Sequence, residues 1–368
     1  MAAARVAAAY PLLLALGALD ATGYSVIVPI APAIANATGA GPATIGLLVA
    51  SFPAGMVAGF AAAGWAVRRL GPRWLLVAAL SLVAVGALGF VISDSLSVYF
   101  AARSLMGLGS AGIWIGVTFD TLERWPGQEY VCISRVFAAY SAGGLIGPAL
   151  GTFGGVHGPF LPYLALLLLA VPLVLFVTPA AHREFTGDKT MLRTPGFVVA
   201  SAAILFASLA LGVLEGVLPL HFAERLAQAQ IGALYVGAAL VVAAGATASG
   251  GRRPRPLVIA AVVLTVAGIA LAGIAADVPL WVLALLLSAL GIGLGNTGSL
   301  GLLVEAVPVE RIVTAMVVWS QIGIIGYLLG PLAGGIVAEG AGYGYVWLVP
   351  AAAGLIVLTL TRRQVMHA

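Results

Sequence analysis

Charge is what this chain of 368 residues has least of: Asp, Glu, Lys and Arg together make up 8% of it. A soluble domain carries about 25%, because its surface must face water, so a water-soluble globular protein is excluded. Cysteine is nearly absent too. Cys132 stands alone, so no intrachain disulfide forms and no redox compartment follows from it. The four histidines, His157, His182, His221 and His367, fall in loops or at the tail without metal-ligand spacing. No phosphate-binding Gly-rich loop ending in Gly-Lys-Ser/Thr occurs, so nucleotide hydrolysis within this chain is not expected to supply energy. Asp120 and Glu123 lie near the end of one apolar run, but no paired Asp motif accompanies them. The net charge of +4 is scattered over many loops rather than gathered into a nucleic-acid-binding face.

What the chain has in place of charge is hydrophobicity: 62% apolar residues and a mean hydropathy of +1.12. Its apolar runs are continuous rather than alternating and about 20 residues long, enough to cross roughly 30 Å of hydrocarbon as a helix. Barrel strands would be shorter and would alternate. The runs predict twelve helical spans near 6–32, 43–66, 74–92, 98–119, 134–155, 160–178, 196–220, 229–249, 257–275, 279–303, 312–337 and 343–361. Arg5 followed by an apolar run resembles a signal peptide, yet the run continues to Pro29 and Pro32 and reads as the first span. The 48 glycines fit helices that pack closely in lipid. The expected class is an all-α integral membrane protein.

The basic residues assign sides. Of 17 Lys and Arg, fifteen fall on one side of the spans, Arg225 falls on the other, and Arg103 lies within a span. Asp94, Glu224, Asp277 and Glu339 all occupy the base-poor side. Positively charged loops stay inside, so both termini are expected in the cytoplasm and the protein in the plasma (inner) membrane. The sequon Asn36-Ala37-Thr38 lies on the outer side, close to the membrane.

The halves repeat. Gly147-Pro148-Ala149-Leu150-Gly151 recurs as Gly330-Pro331-Leu332-Ala333-Gly334, Gly107-Leu108-Gly109 as Gly291-Ile292-Gly293, and Arg68-Arg69 as Arg252-Arg253, at offsets of 183, 184 and 184. Two six-helix bundles are expected, residues 1–178 and 196–368, joined by a cytoplasmic linker at 179–195. An even number of helices per half makes the repeats parallel, an arrangement that places a substrate site between the halves near the midplane.

Several motifs carry a family resemblance. Gly64-Trp65-Ala66-Val67-Arg68-Arg69-Leu70-Gly71-Pro72-Arg73 resembles motif A of the major facilitator superfamily, with Arg68 where that family typically has Asp. Ala102-Arg103-Ser104-Leu105-Met106-Gly107-Leu108-Gly109-Ser110 is similar to motif B. Gly143-Gly144-Leu145-Ile146-Gly147-Pro148-Ala149-Leu150-Gly151 resembles motif C, the antiporter signature. The chain is thus similar, over essentially its full length, to the twelve-helix drug:proton antiporter branch. Leu19-Asp20, Val26-Ile27-Val28-Pro29 and Leu302-Leu303-Val304-Glu305 resemble vesicular amine transporters and their bacterial relatives, in which the matching Asp binds amines or helps move protons. The acids which that group carries in the middle of its tenth and eleventh helices are missing here. Ser320 and Gln321 are the polar residues in that region.

Three ionisable residues lie inside spans: Asp20, Arg103 and Glu215. Each costs about 2.5–3.5 kcal/mol to insert, so each should face a cavity or a partner. Asp20 reads as a proton or cation site, or as one half of a structural pair. Arg103, by the resemblance, assists proton transfer; the alternative is a clamp on the carbonyls of broken helices. Glu215 is either the second-half counterpart of Asp20 or a residue reaching the outer interface. Tyr24, Trp114, Tyr140, Tyr235, Trp319, Gln321 and Tyr327 are candidates to line a cavity, since aromatic faces attract organic cations. Gly64, Arg68, Arg69, Gly71, Arg73, Gly143, Gly147, Pro148, Gly151, Gly330 and Pro331 form the conformational motifs.

The resemblance and the buried charges together predict a secondary transporter, not an enzyme. It would exchange protons for small amphipathic or cationic compounds by alternating access, with the proton as coupling ion and no cofactor or metal. The expected partners are the bilayer and a small-molecule substrate, not nucleic acid, and a monomer should suffice. Sugar or metabolite transport on the same scaffold, a non-transporting receptor and an intramembrane enzyme are the alternatives.

Overall fold

A computed structural model describes residues 2–125, 128–176, 194–308 and 311–366. The linker expected at 179–195 lies mostly within 177–193, and this segment and His367 are outside the described residues. The helices are α1, Ala2–Ser25 continuing as Ile27–Thr38; α2, 42–70; α3, 72–92; α4, Leu96–Arg124; α5, Glu129–Leu150; and α6, Phe160–Leu175. The second half holds α7, Pro195–Gly216 continuing as Leu218–Phe222; α8, Gln228–Ser249; α9, Pro254–Ile274; α10, Val278–Ala306; α11, Ile312–Ala341; and α12, Leu348–Met366. Among the described residues, nine helical stretches are long and apolar enough to cross a membrane, one of them the 51-residue Pro42–Ile92. That stretch is two helices meeting at Gly71, and adding Glu129–Leu150 and Phe160–Leu175 gives 9 + 1 + 2 = 12.

Local chemistry sets these boundaries. Gly71 adopts φ 78, a left-handed conformation that costs glycine little and other residues more, and Pro72 then opens α3. Thr194 accepts a hydrogen bond from the Phe197 amide ahead of Pro195. The Asp277 carboxylate accepts one from the Leu280 amide at 3.0 Å, satisfying an otherwise orphan donor at the start of α10.

The distribution of polarity is inverted relative to a soluble protein. Phe176 is 81% exposed and Ile92 71%, as lipid-facing residues should be, whereas Asp20, Arg103, Ser110 and Asp120 are buried.

The chain forms two compact units, Met1–Gly39 with Ser51–Phe185, and Ala40–Ala50 with Thr186–Ala368. The spans place Ala40–Ala50 in the first half of the sequence, but this opening of α2 packs with the second unit. There Ala43 donates its amide to the Glu339 carboxylate at 2.8 Å, a negative charge at a helix N-terminus. Hydropathy fixes where a helix starts and not which neighbour its first turns choose.

Within the first unit, α1 packs along α5 and against α4; within the second, α7 packs along α11 and α9 along α10. Glycines make these approaches possible. A Cβ at Gly147 would sit 2.7 Å from the Thr22 carbonyl oxygen, and one at Gly330 would collide with the Leu209 carbonyl. A Cβ at Gly109 would lie 2.6 Å from the Ala79 carbonyl and one at Gly291 3.0 Å from that of Ala261. In the latter pair both partners are displaced by 182 residues (291 − 109 and 261 − 79), so the halves repeat in packing, two residues off the 184 at which Gly107-Leu108-Gly109 recurs.

Overpacking a tight helix contact costs about 1–3 kcal/mol. Gly147→Val and Gly330→Val should each lower stability by that amount in chemical unfolding of the detergent-solubilised protein. Gly144→Ala, with nothing within 4 Å of the added carbon, should leave it unchanged. Equal stability of all three would refute the packing scheme.

Candidate functional site

The first unit carries its charge where α1, α4 and α5 meet. Asp20 lies in the middle of α1 and is 2% exposed. Its Oδ2 accepts hydrogen bonds from the Ser110 hydroxyl of α4 at 2.7 Å and the Tyr140 hydroxyl of α5 at 3.1 Å. Its Oδ1 is buried and has no hydrogen-bond partner among the described residues. No Lys, Arg or His forms an ion pair with it there.

Arg103, on the adjoining helix α4, is engaged with the backbone of α1. Fully buried on α4, it donates from Nη1 to the Gly23 carbonyl at 3.0 Å and from Nη2 to the Tyr24 carbonyl at 3.3 Å, with its guanidinium 4.6 Å from the Phe52 ring centroid. Those carbonyls lie in the last turn of Ala2–Ser25, beside Val26, which keeps a helical conformation and bonds its amide to the Thr22 carbonyl at 3.0 Å. Asp120 shows the opposite arrangement: Arg124 grips both of its oxygens, at 2.5 and 3.0 Å. A gripped carboxylate is a structural ion pair. A carboxylate held only by hydroxyls keeps its capacity to take up a proton or a cation.

Aromatic rings surround this group. Trp114 packs edge-on to Tyr140 at 4.9 Å and to Phe137 at 5.2 Å, while Tyr24 is tilted against Phe52 at 5.8 Å. Asp20, Tyr140 and Trp114 therefore come together as one cluster, with Arg103 and Tyr24 one turn further along α1. Ser110, the last residue of the motif B stretch, and Tyr163 are members that the sequence does not single out as site residues. Ser110 lies seven residues after Arg103, two helical turns along the same face of α4, and that periodicity was the available signal. Tyr163 of α6 is fully buried, its hydroxyl packs on the Cα of Gly23, and it has no hydrogen-bond partner among the described residues.

The second unit carries a different arrangement. Glu215, in the last turn of Pro195–Gly216, accepts a hydrogen bond from the Tyr327 hydroxyl of α11 at 2.9 Å. Tyr235 of α8 donates to the neighbouring Leu214 carbonyl. Trp319 is buried and Gln321 half-buried, eight and six residues before Tyr327 on α11. Thr22 on Gly147 corresponds to Leu209 on Gly330, an offset of 209 − 22 = 187 between α1 and α7. At that register the equivalent of Asp20 is Ala207, and Glu215 corresponds to Val28, two turns further along.

The motif residues occupy helix ends and helix contacts. Arg68 and Arg69 are exposed at the end of α2, Gly64 is half-buried above them, and Arg73 donates to the Leu175 carbonyl at the end of α6. Pro148 is buried between Gly147 and Gly151, and the ring of Pro331 fills the space left by Gly212. Among the described residues, no three His, Cys, Asp or Glu are placed to hold a metal.

Two helical units that repeat in sequence and packing, one of them with an unpaired carboxylate inside, define the two-repeat class of polytopic membrane transporters. The Major Facilitator Superfamily profile matches residues 13–251 and, in a second match, 200–365, and the chain belongs to that superfamily. It superposes on the bacterial homolog to the human lysosomal transporter Spinster, in its inward-facing and occupied conformation. The TM-score is 0.79 at 15% identity, over 97% of this chain and 95% of that one. It is 27% identical over 195 residues to the synaptic vesicular amine transporter of Homo sapiens, covering 48% of this chain and 37% of that protein. It is 26% identical over 184 residues to the putative multidrug resistance protein MdtD of Salmonella typhi, covering 49% of this chain and 38% of that protein. The matched stretches thus span well under half the length of either relative.

A hydrogen bond to a charged group contributes about 1.5–3 kcal/mol and one to a neutral group about 0.5–1.5 kcal/mol. At alkaline pH, where Asp20 is ionised, Ser110→Ala should therefore destabilise the protein more in the wild-type background than in Asp20→Asn, with a coupling of about 1 kcal/mol in a double-mutant cycle. Identical costs in the two backgrounds would show that Ser110 does not serve the carboxylate.

Proposed function

We propose that this protein is a proton-coupled exporter of small amphipathic or cationic compounds, working by alternating access with Asp20 as its proton-loading group. The observation that carries the reading is the state of Asp20: buried, bonded to two hydroxyls, one oxygen unpartnered, and without a cationic partner among the described residues. An intramembrane carboxylate with no fixed counter-ion is a costly feature and a functional one by default. Its 2% exposure favours a proton over a bulky amine as its occupant in this conformation, because an organic ammonium reaches it only when the surrounding helices part. A pH gradient of one unit supplies about 1.4 kcal/mol for each proton that enters, and that gradient drives the exchange. Likeness to an amine transporter and to a putative multidrug resistance protein supports a cationic or amphipathic substrate. The base-rich ends of the helices support a reading with both termini in the cytoplasm and the protein in the plasma membrane.

The test is flux of a cationic dye into proteoliposomes under an imposed proton gradient. Asp20→Asn should reduce proton-driven flux to that of empty liposomes. Glu215→Gln, at the repeat position of Val28 and already bonded to Tyr327, should retain proton dependence. Undiminished proton-driven flux in Asp20→Asn would overturn the assignment, and proton-driven uptake of a neutral sugar in place of dye would overturn the substrate class.

A further inference from the structure

The second unit contains a pocket that the proposed transport site does not use. It has a volume of about 410 Å³ and opens at the base-rich end of the helices, where α8 and α9 diverge from α10. Its walls are small or apolar: Gly245 and Ala248 on α8, Ala260 on α9, Leu290 and Leu294 on α10. At its mouth stand Arg252 and Arg253, on the turn that joins α8 to α9 through Gly250 and Gly251. Both arginines are exposed, and neither guanidinium meets a carboxylate among the described residues. Pro256 and Ala260, on the pocket wall, continue at helical spacing into Val263, 58% exposed and apolar, as a lipid-facing residue would be. The pocket therefore opens on the bilayer side of α9 at the level where its spanning residues give way to arginine.

We propose that this pocket binds one anionic phospholipid, its phosphate between Arg252 and Arg253 and part of an acyl chain against Leu290 and Leu294. A soluble anion would use the two guanidinia and leave the apolar walls bare, and a neutral lipid would use the walls and leave two unpaired charges. An anionic lipid satisfies both, and basic pockets between helices at this depth bind such headgroups. Arg68 and Arg69 occupy the equivalent place in the first repeat and supply an internal control with the same charge.

The test uses the full chain in phosphatidylcholine nanodiscs containing phosphatidylglycerol with a photoactivatable acyl chain, and maps the labelled peptides. Labelling should concentrate on the Ala248 and Leu290–Leu294 regions. It should fall on the order of tenfold in Arg252→Ala/Arg253→Ala and survive in Arg68→Ala/Arg69→Ala. Arg252→Lys/Arg253→Lys, which keeps both charges, should retain it, and Leu290→Trp, which fills the pocket and leaves the charges, should lose it. Equal labelling by photoactivatable phosphatidylcholine, displacement by inorganic phosphate, persistence in Leu290→Trp or loss in the lysine variant would each overturn the proposal.

Discussion

In hydrocarbon a carboxylate has to find its hydrogen bonds inside the protein, and at Asp20 the donors are hydroxyls and not a cation. The chemistry proposed for the first unit depends on that choice. A guanidinium gripping both oxygens, as Arg124 grips Asp120, fixes the charge and leaves nothing to exchange. Arg103, on the adjoining helix, donates instead to the carbonyls of Gly23 and Tyr24. Arg103 is thus committed to the backbone of α1 one turn along from the carboxylate.

The hydroxyl ligands in turn depend on how closely the helices approach. Tyr140 reaches Asp20 because α5 lies almost on the backbone of α1, with Gly143 and Gly147 against the carbonyls of Ala18 and Thr22 and the ring of Tyr140 against Gly17. With any side chain on that stripe α5 would stand off and the tyrosine hydroxyl would fall short. The glycines that resemble an antiporter motif thus act on the carboxylate at one remove, by setting a distance. Close backbone approach through small residues is the main packing device open to helices in lipid.

Much of this was legible in the chain before any coordinates. The scarcity of charge, the length of the apolar runs and the one-sided distribution of arginine indicate a twelve-helix, two-repeat membrane protein, and the superfamily match and superposition give that fold. Asp20, Arg103, Tyr140 and Trp114 stand out as charges or aromatics within spans. Tyr163 is equally an aromatic within a span and Ser110 lies in the motif B stretch, but neither is marked out by the chain alone, because their role comes from the residue opposite, which tertiary register decides. The packing of Ala40–Ala50 with the second unit was hidden for the same reason. So was the register of the repeats: identical motifs recur at 183 or 184, while α1 and α7 correspond at 187, and those few residues put Ala207 at the Asp20 level.

That register gives the duplication an asymmetric chemistry. Packing glycines recur in both units because both have to bring helices together, whereas a charge in lipid is costly each time and is present at this level only in the first. On the proposed reading, one carboxylate takes a proton in one part of the cycle and a monovalent cation in another. The site then carries the same net charge in both loaded forms, so a one-for-one exchange moves no net charge across the membrane. A pH gradient would drive such an exchange and the membrane potential would not. Coupling to the potential requires a second titrating group, and Glu215, bonded to Tyr327, corresponds in the repeat to Val28 and not to Asp20.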